Sequence, residues 1–233
     1  VLEISLGILC STLVSAAILP QTASAAMRNA LYQRFGVFAL FVTDGLRGRS
    51  KPESFEASNV RFIAEAVGLE GLRSVTVFED PHMRRRNGRL SRLNSEFMGI
   101  TTRFNALHQL LERLRRNGAD HVEAAIKPGL QDLAEVLDGF SGRALTSPDA
   151  ARLVLALAAY KEGLPARVRS LRAIFQESEP SDAEQLDFHT AYELLYRFVD
   201  DLHSYAQTHA SLADHSHERE RWDEPFTPQT SWW

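Results

Sequence analysis

Cysteine is almost missing from this chain. Cys10 is the only one in 233 residues, which excludes a disulfide framework and any zinc centre built on thiolates. Lysine is scarce too, with three residues against 23 arginines. Positive charge is not in excess: 26 basic side chains face 30 acidic ones, for a formal net charge of −4. Nothing in that balance points to nucleic acid as the main partner. With 13 glycines and 9 prolines in a chain that is 44% hydrophobic, a collagen-like, low-complexity or disordered polymer is excluded. Catalytic motifs are missing as well. There is no glycine-rich phosphate loop and no HExxH helix, and Cys10 lies in an apolar run where a thiolate is costly. His215 and His217 with Glu218 form an HxH pattern in a polar tail and read as solvated side chains. The sequence gives no catalytic residue, metal site or cofactor site, and it is not read as an enzyme.

What is present begins with that apolar run. From Ile4 to Met27 no side chain is charged across 24 residues, and about 20 residues suffice to cross a bilayer core as a helix. A signal peptide is the competing reading, with Ala23-Ser24-Ala25 as a small-residue cleavage site, and a buried helix is the third. Against the signal peptide, Glu3 stands where a positive n-region belongs. Residues 1–20 are therefore expected to be the end of a transmembrane helix. Arg28, Arg34, Arg47, Arg49 and Lys51 outnumber the acids just after the run, a bias that places this side in the cytoplasm.

Downstream the periodicity is helical throughout. Residues 22–43 read as a helix whose apolar end, Phe35 to Val42, either packs or lies at a membrane surface. The Gly, Ser and Pro residues of 44–55 read as a loop. A helix is expected over 56–79, with Val60, Ile63, Ala64, Val67, Leu69 and Leu72 near one face, and Asp80-Pro81 interrupts it. Leu90, Leu93, Phe97, Ile100, Phe104, Leu107, Leu111 and Leu114 then alternate at spacings of three and four, and Asn117-Gly118 stops them. Phe188, Ala191, Leu195, Phe198, Leu202, Tyr205, His209 and Leu212 repeat the pattern. His209, on an apolar seam, is expected to be a hydrogen-bonded core histidine. Partner helices are expected over 119–138, kinked near Pro128-Gly129, and over 148–162 and 165–178, with Ser147 as a cap. The fold class is all-α, an antiparallel bundle of long helices preceded by the end of a transmembrane helix. The seams close either within one chain or between copies. The organisation is 1–20 apolar segment, 21–214 helical domain and 215–233 linker. That linker ends on Trp232-Trp233, read either as entry to a membrane interface, where tryptophan is enriched, or as a tail docked on the bundle.

The densest charge feature is Arg84-Arg85-Arg86 followed by Arg89 and Arg92, five arginines in nine residues without an acid. A solvated helix face pairing with Glu70, Glu79 and Asp80 is the default reading. Contact with anionic lipid headgroups and an anion-collecting surface are the others.

These residues carry a resemblance. Leu2-Glu3-Ile4-Ser5-Leu6-Gly7 with Leu19-Pro20 resembles the last transmembrane helix in the first half of fusaric acid resistance (FUSC) proteins. Leu69-Glu70-Gly71-Leu72-Arg73, then Phe78-Glu79-Asp80-Pro81, the arginine run and Arg89-Leu90-Ser91-Arg92-Leu93-Asn94 resemble the soluble domain that follows. Phe226-Thr227-Pro228 is similar to the approach to the second membrane half. The resemblance implies the central cytoplasmic domain of an inner-membrane efflux protein of the aromatic acid exporter type, with an assembly or gating role. It implies membrane lipids, a membrane-fusion (periplasmic adaptor) protein and further copies of the chain as partners. The aromatic acid substrate would be carried by membrane halves outside this sequence. Glu70, Arg73, Glu79, Arg84, Arg85 and Arg86 are then the candidates for a structural ion-pair network or gating surface. The alternative is a membrane-anchored helical binding or sensor module without transport activity.

Overall fold

The computed structural model describes residues 23–79 and 87–212. The expectations for 1–20, for Asp80-Pro81, for Arg84 to Arg86 and for the tail from 215 lie outside those residues. Six helices account for the described chain: α1 (Ala23–Leu46), α2 (Pro52–Glu79), α3 (Asn87–Arg116), α4 (Asp120–Asp138), α5 (Ser147–Gln176) and α6 (Asp182–Ser211). Among the described residues there is no strand, and no helix is long and apolar enough to cross a membrane.

The two long seams close on each other within the chain. Every seam residue from Leu90 to Leu114 on α3 and from Phe188 to Leu212 on α6 is buried. The helices run antiparallel, because partners on α6 fall in number as those on α3 rise. Arg113 pairs with Asp187, Arg103 with Asp201 at 2.7 Å, Ser204 with Glu96 at 2.9 Å, and Arg89 with the Ser211 carbonyl at 3.0 Å.

α1 supplies the third wall. The Phe35 to Val42 stretch packs rather than lying on a surface: Phe35, Phe38, Ala39 and Val42 are buried in the core, while Val37 and Leu40 face out. Phe38 meets Phe97 of α3 and Phe62 of α2 edge-on, at 5.2 and 5.4 Å between ring centres. Such pairs add about 0.5–1.5 kcal/mol beyond their buried area. Gly36 lets the 140–146 connection lie flat on α1. A Cβ there would stand 1.9 Å from the Arg143 carbonyl oxygen, and the Gly142 and Leu145 amides donate to the Gly36 and Tyr32 carbonyls at 2.8 Å.

Three sequence expectations are corrected. α2 begins at Pro52, and its buried face is Phe55, Phe62, Ala66 and Leu69; of the expected stripe Leu69 is buried, while Val60, Ile63 and Val67 are exposed. Two apolar stripes compete on this helix, and the one carrying two phenylalanines removes more area from water. The expected pair 148–162 and 165–178 is the single helix α5, running through Pro165. Packing of Leu157, Tyr160 and Leu164 before the break and Phe175 after it holds the helix across the lost hydrogen bond. Its cap is Thr146, whose Oγ1 accepts from the Asp149 amide at 3.3 Å, and Ser147 is the first helical residue. α6 opens with a capping box: the Ser181 hydroxyl accepts from the Glu184 amide at 3.3 Å, and the Ser181 amide donates to Glu184 at 2.9 Å. The stop at Asn117-Gly118 is as expected. Gly118 has a positive φ of 65°, and the Ala119 amide reaches back to the Leu114 carbonyl at 3.0 Å.

Candidate functional site

Of the six residues singled out in the sequence, Glu70 and Arg73 are brought together. They sit one turn apart on α2, where Arg73 Nε donates to Glu70 Oε2 at 3.0 Å and a second nitrogen reaches the other carboxylate oxygen. The hydrogen bonds from Arg73 hold the Glu70 carboxyl below the usual carboxylate range, and the same bonds raise the guanidinium. This is a local, half-exposed pair within one helix. Glu79 is the last residue of α2, and Arg84, Arg85 and Arg86 lie outside the described residues. Of the arginines that follow, Arg89 is not on a solvated face, whereas Arg92 is partly exposed. Arg89 is buried and donates to the Ser211 carbonyl at the end of α6, and Arg92 Nε donates to Glu96 at 2.8 Å.

A second cluster was not anticipated. Arg34, on α1, is 3% exposed. Its guanidinium lies 3.8 Å above the Phe97 ring and donates from Nη1 to Asn94 Oδ1 at 2.7 Å. Asn94 in turn donates to the Ala66 carbonyl of α2 at 2.9 Å, so one side chain ties three helices. Arg34 Nε and Nη2 have no hydrogen-bond acceptor among the described residues. Beside it, Tyr205 stacks on Phe35 at 5.5 Å. Its hydroxyl stands near the guanidinium but outside hydrogen-bond geometry. Burial raises this phenol above its ordinary value, and the Arg34 charge works against that shift.

His209 lies next in the cluster and is fully buried. Its ring sits 5.4 Å from Tyr32 and 6.0 Å from Tyr205. Neither ring nitrogen has a hydrogen-bond partner among the described residues, which corrects the expectation of a hydrogen-bonded core histidine. Burial, reinforced by the Arg34 charge, pushes its pKa down to about 4, so the ring is neutral at pH 7. Glu96 stands at the edge of the cluster, with one oxygen accepting from Arg92 and Ser204 and the other buried without a partner. The signal in the sequence was the register of α1. Leu31, Arg34, Phe35 and Phe38 fall on one helical face, which places Arg34 among core residues.

The arrangement holds a cation inside an aromatic core; it does not assemble a nucleophile with a base. Among the described residues no group of three or more histidine, cysteine, aspartate or glutamate side chains stands ready for a metal ion.

The cluster lies toward one end of the bundle, where four helix ends meet. α1 is antiparallel to α6, since Tyr32 faces His209 and Phe35 faces Tyr205. It is parallel to α3, since Arg34 meets Asn94 and Phe41 meets Phe104. It is antiparallel to α2, since Phe38 meets Phe62 and Phe41 meets Phe55. The beginnings of α1 and α3 and the ends of α2 and α6 therefore share one end. Residues 1–22 and the segment from 213 are joined to the bundle there, and so is the connection between α2 and α3.

The family model described as the fusaric acid resistance protein family matches residues 1–233. The fusaric acid resistance protein FusC of Burkholderia cepacia is 45% identical over 229 residues, which cover 98% of this chain and 65% of that protein. This chain thus spans about two thirds of the length of that relative. No solved structure matches it. With a family match along its whole length and close to half of its residues shared with FusC, the chain belongs to the fusaric acid resistance protein family.

Proposed function

We propose that this helical bundle is the cytoplasmic assembly or gating domain of an inner-membrane efflux transporter that exports aromatic carboxylic acids or similar toxic compounds. The family supports transport and resistance as the broad activity, and the relative's name concerns fusaric acid, an aromatic carboxylic acid. The observation that carries the reading is the shared end of α1, α2, α3 and α6. A domain whose first helix begins and whose last helix ends on the same side can be inserted between two membrane halves without separating them. Movement of one half is then felt by the other through a single helix contact. Arg89, near the start of α3, donates to the Ser211 carbonyl and so bonds the start of α3 to the end of α6. The transport path belongs to the membrane halves, with the bundle facing the cytoplasm. A membrane-fusion protein and further copies of the chain are the proposed partners, and Glu70, Arg73, Glu79 and Arg84 to Arg86 form the proposed gating surface near the shared end.

The test replaces residues 23–212 by a short Gly/Ser linker in the native gene, a junction that the shared end makes geometrically reasonable. Membrane insertion is checked by fractionation, and resistance to fusaric acid is measured in the host. The expected result is normal insertion with resistance reduced at least tenfold. Unchanged resistance in a properly inserted variant overturns the reading.

A further inference from the structure

At the opposite end of α1 a groove opens between α1 and α2, with a cavity volume of about 390 Å³. Its floor is the face of Phe41, only partly buried and backed by the core rings of Phe55 at 4.6 Å and Phe62 at 5.2 Å. Val37 and Leu40, 40% and 45% exposed, form an apolar wall. The rim is cationic. Arg49, Lys51 and Arg61 line it against one acid, Asp44.

The cations keep capacity for a ligand. Arg49 pairs with Asp44 at 2.7 Å and Arg61 with Glu65 at 3.2 Å, both well exposed to solvent, where such pairs are weak. Each guanidinium has five N–H donors. Lys51 makes no ion pair among the described residues. The Arg61 guanidinium stands 5.4 Å over the buried Phe62 ring, which fixes one cation at the groove's edge.

We propose that this groove binds a small organic anion with a flat apolar body, its ring against Phe41, Val37 and Leu40 and its carboxylate toward Arg49, Lys51 and Arg61. The volume falls at the small end of the range for ligand pockets, which suits one or two fused rings and excludes a folded partner. A lipid headgroup offers the same charge, but the position argues against it. Leu40 lies 17 residues beyond Ala23, about 25 Å along the helix axis, away from the end where residues 1–22 and the segment from 213 attach. The site goes beyond the proposed export role, because it belongs to the bundle itself. Binding is measured without transport, so either reading can fail alone.

The experiment is calorimetric titration of the purified 233-residue chain with 1-naphthoate, with 1-naphthamide as the uncharged control of the same shape and with phosphatidylglycerol vesicles as the lipid arm. The expected result is one naphthoate per chain with Kd on the order of 0.1–1 mM and naphthamide at least tenfold weaker. A K51Q/R61Q variant with unchanged far-ultraviolet circular dichroism should lose at least tenfold in naphthoate affinity. Ser58→Trp, which fills the groove from an outward position on α2, should abolish binding. Absence of naphthoate binding, equal affinity for the amide, full binding by the filled variant or binding to vesicles alone each overturns the proposal.

Discussion

A buried guanidinium with one amide acceptor and one phenyl face is a poor way to stabilise a helical core. Desolvating Arg34 costs several kcal/mol, and a single neutral hydrogen bond with a cation–π contact offsets part of that. Replacing a buried ionic group and its partner by apolar side chains of similar volume is often neutral or stabilising. Arg34→Met alone leaves the Asn94 carbonyl oxygen without its donor, a loss of about 1–3 kcal/mol. The double variant R34M/N94L removes both sides of the contact and also the Asn94–Ala66 bond, whose carbonyl lies within α2. Its urea midpoint is expected to rise by an equivalent of about 2 kcal/mol. A double variant destabilised by the same amount would make Arg34 a structural residue and nothing more. The His209 position on an apolar seam was legible from spacing, but its missing hydrogen bonds were not, because spacing fixes a face and not the partners on it.

Helices were the most legible level. A three-and-four alternation sustained over eight positions leaves one stripe to bury, and both such stripes are buried here. α2 was less legible because its phenylalanines and its aliphatic residues mark different faces, and only packing chooses between them. α5 misled for a local reason. Pro165 removes the amide that would bond the Lys161 carbonyl, which reads as a stop, yet contacts on both sides keep the axis continuous. That reading has a measurable consequence. Pro165→Ala restores the bond at an exposed position of an intact helix, so it should stabilise the bundle by about 2 kcal/mol out of the roughly 3 that proline costs in a helix interior. The remainder is lost to the greater freedom of the unfolded chain. Urea unfolding followed by circular dichroism checks it. A destabilised P165A would mean that the two halves of α5 pack only because the proline sets the angle between them.

For the whole molecule, an all-α bundle was legible because helical periodicity prevails throughout and outweighs even the β-branched stretch Ser74 to Phe78. The pairing of its helices and the convergence of four ends were not legible, since periodicity along one helix carries no information about its neighbour. The Arg34 cluster escaped for the same reason: it exists only where α1, α3 and α6 meet. That meeting point also sets how the fold responds to acid. His209 has a folded pKa of about 4, lowered by burial and by Arg34, which faces it from α1 with Tyr32. His108, stacked on Phe55 of α2 at 3.5 Å, is lowered by burial, and Glu112 and Arg115 act on it in opposite directions. His203 is lowered by burial and by Lys161. The ordinary histidine value is about 6.5, so the unfolded chain takes up these protons first as the pH falls. Stability therefore declines from about pH 6.5 toward pH 4, and the slope belongs to proton uptake by the unfolded state. The lowered carboxylates Glu70, Asp149 and Glu184 act in the same direction only below about pH 4.5. Between pH 7 and pH 5 the histidines dominate, and His209 alone accounts for about 2 kcal/mol of the loss. His209→Gln removes the titration while keeping a polar side chain of similar size. Urea unfolding at pH 7 and pH 5 should then show a pH-dependent loss smaller by that amount, whatever the variant's absolute stability. An unchanged slope would mean that water reaches the ring in the native bundle and holds its pKa near the ordinary value.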